Sequence, residues 1–324
     1  MKIVISDYKN TLERELDYEI EIIHKSFPNA DVVIHAFENK ESFIQELKGA
    51  DGLLTAFLPL DKSIFSKCPK LKCISLNSTG YNTVNLEDAK KYGITVCAIK
   101  EYCTTEVAEF TISLILSLSK KLKEHQYNIE KEKRYQYELV GSVNRLSGKT
   151  LAIFGFGRIG QTVARFAQAF NINVVTVDPF IPEDITKKAN VKLVDADYVF
   201  ENADIISNHM STTSTNSAYF NDEFFSKLKK KPIFVNVGRG ISVDESALLN
   251  ALSKKYIASA GLDVLQDENP DVINNPLFGR NDVIITPHAA FYSVESMKLL
   301  QEISTENLVN YYKNEISKIN HIVI

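Results

Sequence analysis

Leu151–Gly160, reading LAIFGFGRIG, constrains the fold of this chain more than any other stretch. The apolar run Leu151-Ala152-Ile153-Phe154 stops at Gly155-Phe156-Gly157-Arg158-Ile159-Gly160, and an amphipathic run from Gln161 to Phe170 follows. That order is strand, glycine turn, helix. Each glycine has its own task in such a turn: the first closes it, the second lets backbone approach a pyrophosphate, and the third lets helix pack close on strand. The first-turn amides then face the phosphates with the positive end of the helix dipole. Alone, the pattern also suits an ordinary strand–helix turn. Its sequel favours a dinucleotide. A second apolar run, Val174-Val175-Thr176-Val177, ends in Asp178, close to the ~20-residue offset at which an acid meets an adenosine ribose.

The rest of the chain extends this alternation in both directions. At about 150 residues per domain, 324 residues suggest two domains. Strands are predicted at Ile3–Ser6, Val32–Ala36, Gly52–Thr55, Cys73–Leu76 and Ile94–Cys97. Helices are predicted between them at Leu12–Phe27, Lys40–Leu47 and Leu86–Tyr92, the last capped by Asn85. A long helix from Thr104 to about Leu122, capped by Thr104 or Thr105, is apolar on nearly every side and therefore buried. The polar, tyrosine-rich stretch Glu124 to Asn144 reads as an arm that packs on something else. Beyond the glycine turn, strands at Ile205–Ser207, Ile233–Val237, Ala258–Gly261 and Val283–Ile285 complete a six-stranded doubly wound domain. A final helix over Ser293–Tyr312 presents Leu299, Leu300, Ile303, Leu308 and Val309 to a core.

Several classes of function are disfavoured. With 37 basic against 41 acidic residues, the net charge of −4 gives no footprint for nucleic acid or an anionic membrane. The longest apolar segment, around Ile112–Leu118, is far short of the ~20 residues of a membrane span. Asp7 interrupts the N-terminal apolar run too soon for a signal-peptide core. Cys68, Cys73, Cys97 and Cys103 lack CxxC spacing and read as reduced thiols of a cytoplasmic protein. His24, His35, His125, His209 and His321 show no metal-ligand spacing, so no metal is expected.

In open α/β sheets, ligands bind outside the carboxyl ends of the strands. Four loops qualify. Asn77-Ser78-Thr79-Gly80-Tyr81-Asn82 follows Cys73–Leu76, and Asn236-Val237-Gly238-Arg239-Gly240 follows Ile233–Val235. Glu268 lies five residues past Asp263, and His288 lies in Thr286-Pro287-His288-Ala289-Ala290. An arginine between glycines can present its fork to a carboxylate. A histidine paired with a glutamate can move a proton near neutrality. Singly, Arg239, Glu268 and His288 are better explained as a surface arginine, a surface glutamate and a histidine bonded to backbone; together on the dinucleotide edge they point to a site.

In order along the chain, these motifs resemble the D-isomer-specific, NAD-dependent 2-hydroxyacid dehydrogenase family, from about Gly52 to Asn310. The Ile74–Asn82 loop resembles the family's carboxylate grip, with backbone amides at Thr79 and Gly80. Tyr102 through Glu109 resembles the entry to its dimer-forming helix, Asn236–Gly240 the loop of its substrate arginine, Gly261-Leu262-Asp263-Val264 the lead to its acid at Glu268, and Pro287-His288 its catalytic histidine.

The resemblance implies a flavodoxin-like substrate domain, residues 1–100 plus 291–324, into which a Rossmann NAD domain, residues 101–290, is inserted. It implies NAD on Gly155, Phe156, Gly157, Arg158, Ile159 and Gly160, with Asp178 at the ribose, Val237 and Gly238 beside the cofactor, and Asp263 near the nicotinamide amide. Asp178 should repel the 2′-phosphate of NADP. Arg239, Glu268 and His288 would be catalytic. Asn77, Tyr102, Phe291 and Tyr292 would line a substrate pocket whose aromatic rings favour apolar substituents. The expected reaction is reduction of a small 2-keto acid to the D-2-hydroxy acid, in the manner of D-lactate dehydrogenase, by a homodimer joined through its NAD domains. The alternatives are a hydroxypyruvate or glyoxylate reductase, a phosphoglycerate dehydrogenase, or an NAD(H)-sensing corepressor on the same fold. One departure stands out: the family's His-x-Pro is here His209-Met210-Ser211.

Overall fold

The computed structural model describes residues 1–211 and 216–324. The chain divides into two compact units, Met1–Tyr102 with Ser293–Ile324, and Cys103–Tyr292. Each division falls two residues beyond the expected one. Phe291 accordingly belongs to the second unit, where it packs against that unit's apolar core.

The first unit is built on five parallel strands, β1 (Lys2–Tyr8), β2 (Asp31–Phe37), β3 (Gly52–Thr55), β4 (Cys73–Leu76) and β5 (Thr95–Ala98). They lie in the order β5-β4-β3-β1-β2. The last strand, His321–Ile322, pairs antiparallel with β5, a feature the wholly parallel expectation lacked.

Two helices differ from their predicted form. The single helix expected over Leu12–Phe27 is broken into Lys9–Leu12 and Asp17–Ser26. Arg14 lies in the break and pairs with Glu19, which is fully buried. In one continuous helix residues five apart stand about 140° apart around the axis, so that contact needs the break. The last helix, Val294–Tyr312, is capped by a reciprocal Ser293–Ser296 box. Leu300, Leu308 and Val309 are buried as predicted, but the buried face is wider than the apolar residues alone and leaves one of them out: Gln301, Ser304, Thr305 and Asn307 are also buried, whereas Leu299 is 41% exposed. Gln301 and Asn307 face inward because their side chains have partners, Gln301 Nε2 donating to Glu15 O at 2.6 Å, whereas Thr305 Oγ1 has none among the described residues. Asn307 Nδ2 donates to Ala98 O at 3.1 Å, and Ser304 O accepts from Ser75 Oγ at 2.6 Å.

The second unit carries seven parallel strands, one more than predicted: β6 (Thr150–Phe154), β7 (Asn173–Val177), β8 (Lys192–Leu193), β9 (Ile205–Asn208), β10 (Ile233–Asn236), β11 (Ser259–Leu262) and β12 (Val283–Ile285). The additional strand, β8, has two exposed residues and gives no hydrophobic signal. The order is β8-β7-β6-β9-β10-β11-β12, so the winding reverses between β6 and β9, the switch point at which such sheets bind ligands. One face is filled by edge-on phenylalanines, such as Phe220 and Phe224 with ring centroids 4.9 Å apart. The helix Thr104–Ser119 covers the other face, burying Val107, Ile112, Leu114, Ile115 and Leu118, each worth about 1.5–3 kcal/mol. Its N-cap is Cys103, not Thr104 or Thr105. It stops at Ser119 because Lys121 adopts a left-handed conformation, φ 51°. The Glu124–Asn144 arm is not wholly irregular. A helix covers Leu122–Glu130 and a 3₁₀ turn covers Tyr137–Val140, with Tyr135 and Tyr137 largely exposed. No helix among the described residues is long and apolar enough to cross a membrane.

Candidate active site

All the candidate residues between Gly155 and Tyr292 belong to the second unit. The glycine turn, Asp178, Arg239, Glu268 and His288 come from loops that follow the carboxyl ends of β6, β7, β10, β11 and β12.

The glycine turn is determined sterically at two of its three positions. Gly155 has φ +86°, and a Cβ there would lie 2.9 Å from the His209 carbonyl carbon and oxygen. At Gly160 a Cβ would lie 2.3 Å from Gly155 O. Gly157 is different: its φ is −69°, and a Cβ would meet no atom of the described residues within 4 Å. Neither backbone nor packing explains that glycine. The open space before the helix Arg158–Ala169 does, because a pyrophosphate would fill it. The helix's own hydrogen bonding begins with Gln161 N–H donating to Gly157 O at 3.0 Å, which leaves the turn ahead of it facing that space. Asp178 is tied to the same turn. Its Oδ2 accepts from Phe156 N–H at 2.8 Å and its Oδ1 from Phe180 N–H at 2.9 Å, so the acid that would meet a ribose is fixed on the phosphate loop. The donor set therefore fits a dinucleotide.

Behind this turn lies His209, whose N–H donates to Phe154 O at 2.7 Å. Burial alone pushes its imidazole down to about 3. Nε2 lies 2.8 Å from Ser207 Oγ, and Nδ1 has no partner among the described residues.

Arg239 is presented by a polar clamp that the sequence reading missed. Asn208 and Asn236 face each other in register at the ends of β9 and β10 and are fully buried. Asn208 Nδ2 donates to Asn236 Oδ1 at 2.9 Å and to Ser242 Oγ at 2.7 Å. Asn236 Nδ2 and Ser242 Oγ both donate to Arg239 O, at 3.1 and 2.6 Å. Gly238 N–H closes the network on Asn236 Oδ1 at 3.2 Å. The Arg239 backbone is thus held while its exposed side chain bends back to Gly238 O at 2.8 Å. Val237 is buried beside it. At Gly240 no side chain fits, for a Cβ would lie 1.8 Å from Leu265 O. Two asparagines closing adjacent buried strands were the available signal.

His288 Nδ1 lies 3.0 Å from Glu268 Oε2, as the sequence paired them, and both side chains are substantially exposed. His288 has φ 51°, a left-handed conformation costly for this residue type. Asp263 holds it there. Its carboxylate, 1% exposed, accepts from Thr286 Oγ1 at 2.7 Å, Ala289 N–H at 2.8 Å and Ala290 N–H at 3.0 Å, and His288 N–H donates to Asp263 O at 2.8 Å. Asp263, expected beside a nicotinamide amide, thus has both oxygens on the histidine loop. The Phe291 ring stands edge-on to His288 at 6.2 Å, and Tyr292 is exposed beyond it.

The remaining candidates belong to the first unit. Asn77, at the end of β4, is buried and donates from Nδ2 to Glu19 Oε1 at 3.3 Å. Ser78 Oγ donates to Gly80 O at 2.6 Å, folding the loop so that Thr79 is exposed. Tyr102 is half-buried at the last position of the unit's first segment.

Comparison with known proteins shows the family to which the chain belongs. Residues 112–290 match the family model of the D-isomer specific 2-hydroxyacid dehydrogenase NAD binding domain. The hydroxypyruvate reductase of Blautia hydrogenotrophica is 32% identical over 281 residues, covering 84% of this chain and 85% of that protein. The glyoxylate reductase of Korarchaeum cryptofilum is 31% identical over 281 residues, covering 86% and 84%. Among solved structures, the D-lactate dehydrogenase TP0037 of Treponema pallidum superposes with a TM-score of 0.83 at 27% identity, covering 97% of each chain. These relatives are named as enzymes. The chain belongs to the D-isomer-specific 2-hydroxyacid dehydrogenase family, and it is an NAD-dependent oxidoreductase.

Proposed function

We propose that this protein reduces a small 2-keto acid, of the size of pyruvate, to the D-2-hydroxy acid, with His288, Glu268 and Arg239 as its catalytic residues. The observation that carries the reading is the His288–Glu268 pair, 3.0 Å apart on a loop pinned by the buried Asp263 carboxylate. Because a carboxylate only accepts, the proton between them sits on Nδ1, and Nε2 is the atom that faces substrate. Bound NADH supplies the hydride to the carbonyl carbon. His288, protonated, gives its Nε2 proton to the developing alkoxide, and Glu268 stabilises the imidazolium before transfer. Arg239 sets its guanidinium against the carbonyl oxygen and the carboxylate, leaving the Gly238 carbonyl for a stronger, charge-assisted pair. The amides at Thr79 and Gly80 take the substrate carboxylate, and Asn77, Tyr102, Phe291 and Tyr292 bound its side chain. In the reverse direction neutral His288 takes the hydroxyl proton.

The aromatic residues of that set favour a methyl or larger apolar substituent over a phosphate. The relatives named for hydroxypyruvate and glyoxylate keep those two acids as the second reading. NADH oxidation followed with pyruvate, 2-ketoisocaproate, phenylpyruvate, hydroxypyruvate and glyoxylate decides between them. The first three should have the higher kcat/KM. His288→Ala should lower kcat by about 10²–10⁴ with NADH affinity retained, and full turnover in that variant would refute its role. The same reading carries a homodimer through the second unit, supported by the exposed Tyr135 and Tyr137 of the arm and checked by sedimentation.

A further inference from the structure

The amino ends of β9–β12, at the sheet edge opposite the glycine turn and His288, open into a cavity of about 610 Å³ roofed by residues 142–146. Eight cationic side chains line it against three carboxylates. The carboxylates are already matched. Asp204 meets Lys149 at 3.2 Å and Lys230 at 3.8 Å, while Asp282 meets Arg280 at 2.8 Å and Lys255 at 3.8 Å.

The excess positive charge is therefore not answered within the fold. Lys123 points its ammonium to the carbonyls of Arg280 and Val283, 2.7 Å each, and burial lowers its pKa. Arg145 and Lys231 have no ion-pair or hydrogen-bond partner among the described residues. Lys121, Lys231 and Lys255 adopt φ of 51°, 52° and 61°, positions where glycine or asparagine is favoured. Helix dipoles account for Lys121 and Lys255, which follow helices ending at Ser119 and Ser253. They do not account for Arg145 or Lys231.

We propose that this cavity binds a small anion bearing two or more phosphate groups, with Arg145 and Lys231 as its uncommitted cations. Its volume is that of a nucleotide-sized ligand site, and clustered cations with a rigid guanidinium suit phosphate oxygens. It is separate from the dinucleotide site, which occupies the carboxyl edge of the same sheet. It does not rest on the assignment of the catalytic residues.

The test is calorimetric titration of the whole enzyme, saturated with NADH, with inorganic tripolyphosphate. Saturable binding is expected, weakened at least about tenfold in the Arg145→Ala/Lys231→Ala double variant, with NADH affinity unchanged as the check on folding. It should also weaken as salt rises. The proposal is overturned by absence of saturable binding, by equal binding in the variant, or by competition with NADH. A double variant that changes oligomeric state while tripolyphosphate fails to bind would make this face an interface between copies, and would overturn it too.

Discussion

His209 ties the stability of the cofactor-binding unit to pH. With its Nδ1 buried and no countercharge beside it among the described residues, its ring stays neutral in the native state down to about 3, whereas in the unfolded chain it takes up a proton near 6.5. The unfolded state therefore binds more protons below that value, and stability is lost as pH falls through 6.5. The loss continues until the native ring also protonates. Between pH 7.5 and pH 5 it amounts to about 2 kcal/mol, from about 1.4 kcal/mol per unit over the interval below 6.5. That figure does not depend on the native value, because the buried ring is neutral throughout the interval.

The perturbation is His209→Gln, which keeps a polar group near Ser207 but cannot titrate. The chain has no tryptophan, so urea unfolding is followed by far-ultraviolet circular dichroism at the two pH values. The relevant transition is the one that NADH displaces to higher urea. Carboxylates and other histidines titrate alike in both proteins and cancel in the comparison. Wild type should lose about 2 kcal/mol more than the variant between pH 7.5 and pH 5. Parallel losses would refute the reasoning, since the ring would then be protonated in the native state or already neutral in the unfolded one.

Other substitutions test the site. Asp263→Ala leaves Thr286 Oγ1 and the Ala289 and Ala290 amides without their acceptor, one of them buried, and should cost about 1–3 kcal/mol in urea unfolding, while kcat falls further than NADH affinity because the His288 loop is released. Wild-type KM for NADH should lie below that for NADPH, and Asp178→Ala should narrow the gap; a lower KM for NADPH in wild type would remove Asp178 from its role. Asn208→Leu deprives Asn236 and Ser242 of a partner and should destabilise the unit by about 1–3 kcal/mol by the same assay. It should also lower kcat/KM through Arg239. Gly240→Ala should fail to yield folded protein on size-exclusion chromatography, since its Cβ cannot coexist with the Leu265 carbonyl.

Strands with continuous apolar runs, such as β6 and β7, were legible because burial on both faces leaves little else they could be. Candidate residues were legible where loops leave the strands: Arg239 stands between glycines and His288 between a proline and an alanine, while Glu268 was found from its place five residues past Asp263. What the sequence did not disclose are contacts that hydrophobic periodicity treats as noise. Glu19 and Asn307 are buried because distant residues complete their hydrogen bonds, and no local pattern announces such a partner. The inward polar residues of the last helix follow from such pairs, and the split of the first follows from the Arg14–Glu19 contact. The Asn208–Asn236–Ser242 clamp was hidden for the same reason, and the Asp263 latch because resemblance gave that acid a task at the cofactor.

Gly157 separates two requirements that most residues of a nucleotide turn combine. Its backbone, at φ −69° and ψ −165°, is one that alanine adopts without strain, and a Cβ there would meet no atom of the described residues within 4 Å. A single added methyl group would leave every native contact intact and occupy only the ligand's volume. The protein thus contains the position for a cofactor-blind twin of itself, equal in fold and, when no nucleotide is added, lower in resistance to urea only by what alanine loses to glycine at a helix N-cap. Set beside the parent, such a twin would measure how much of the enzyme's standing stability is lent by its cofactor.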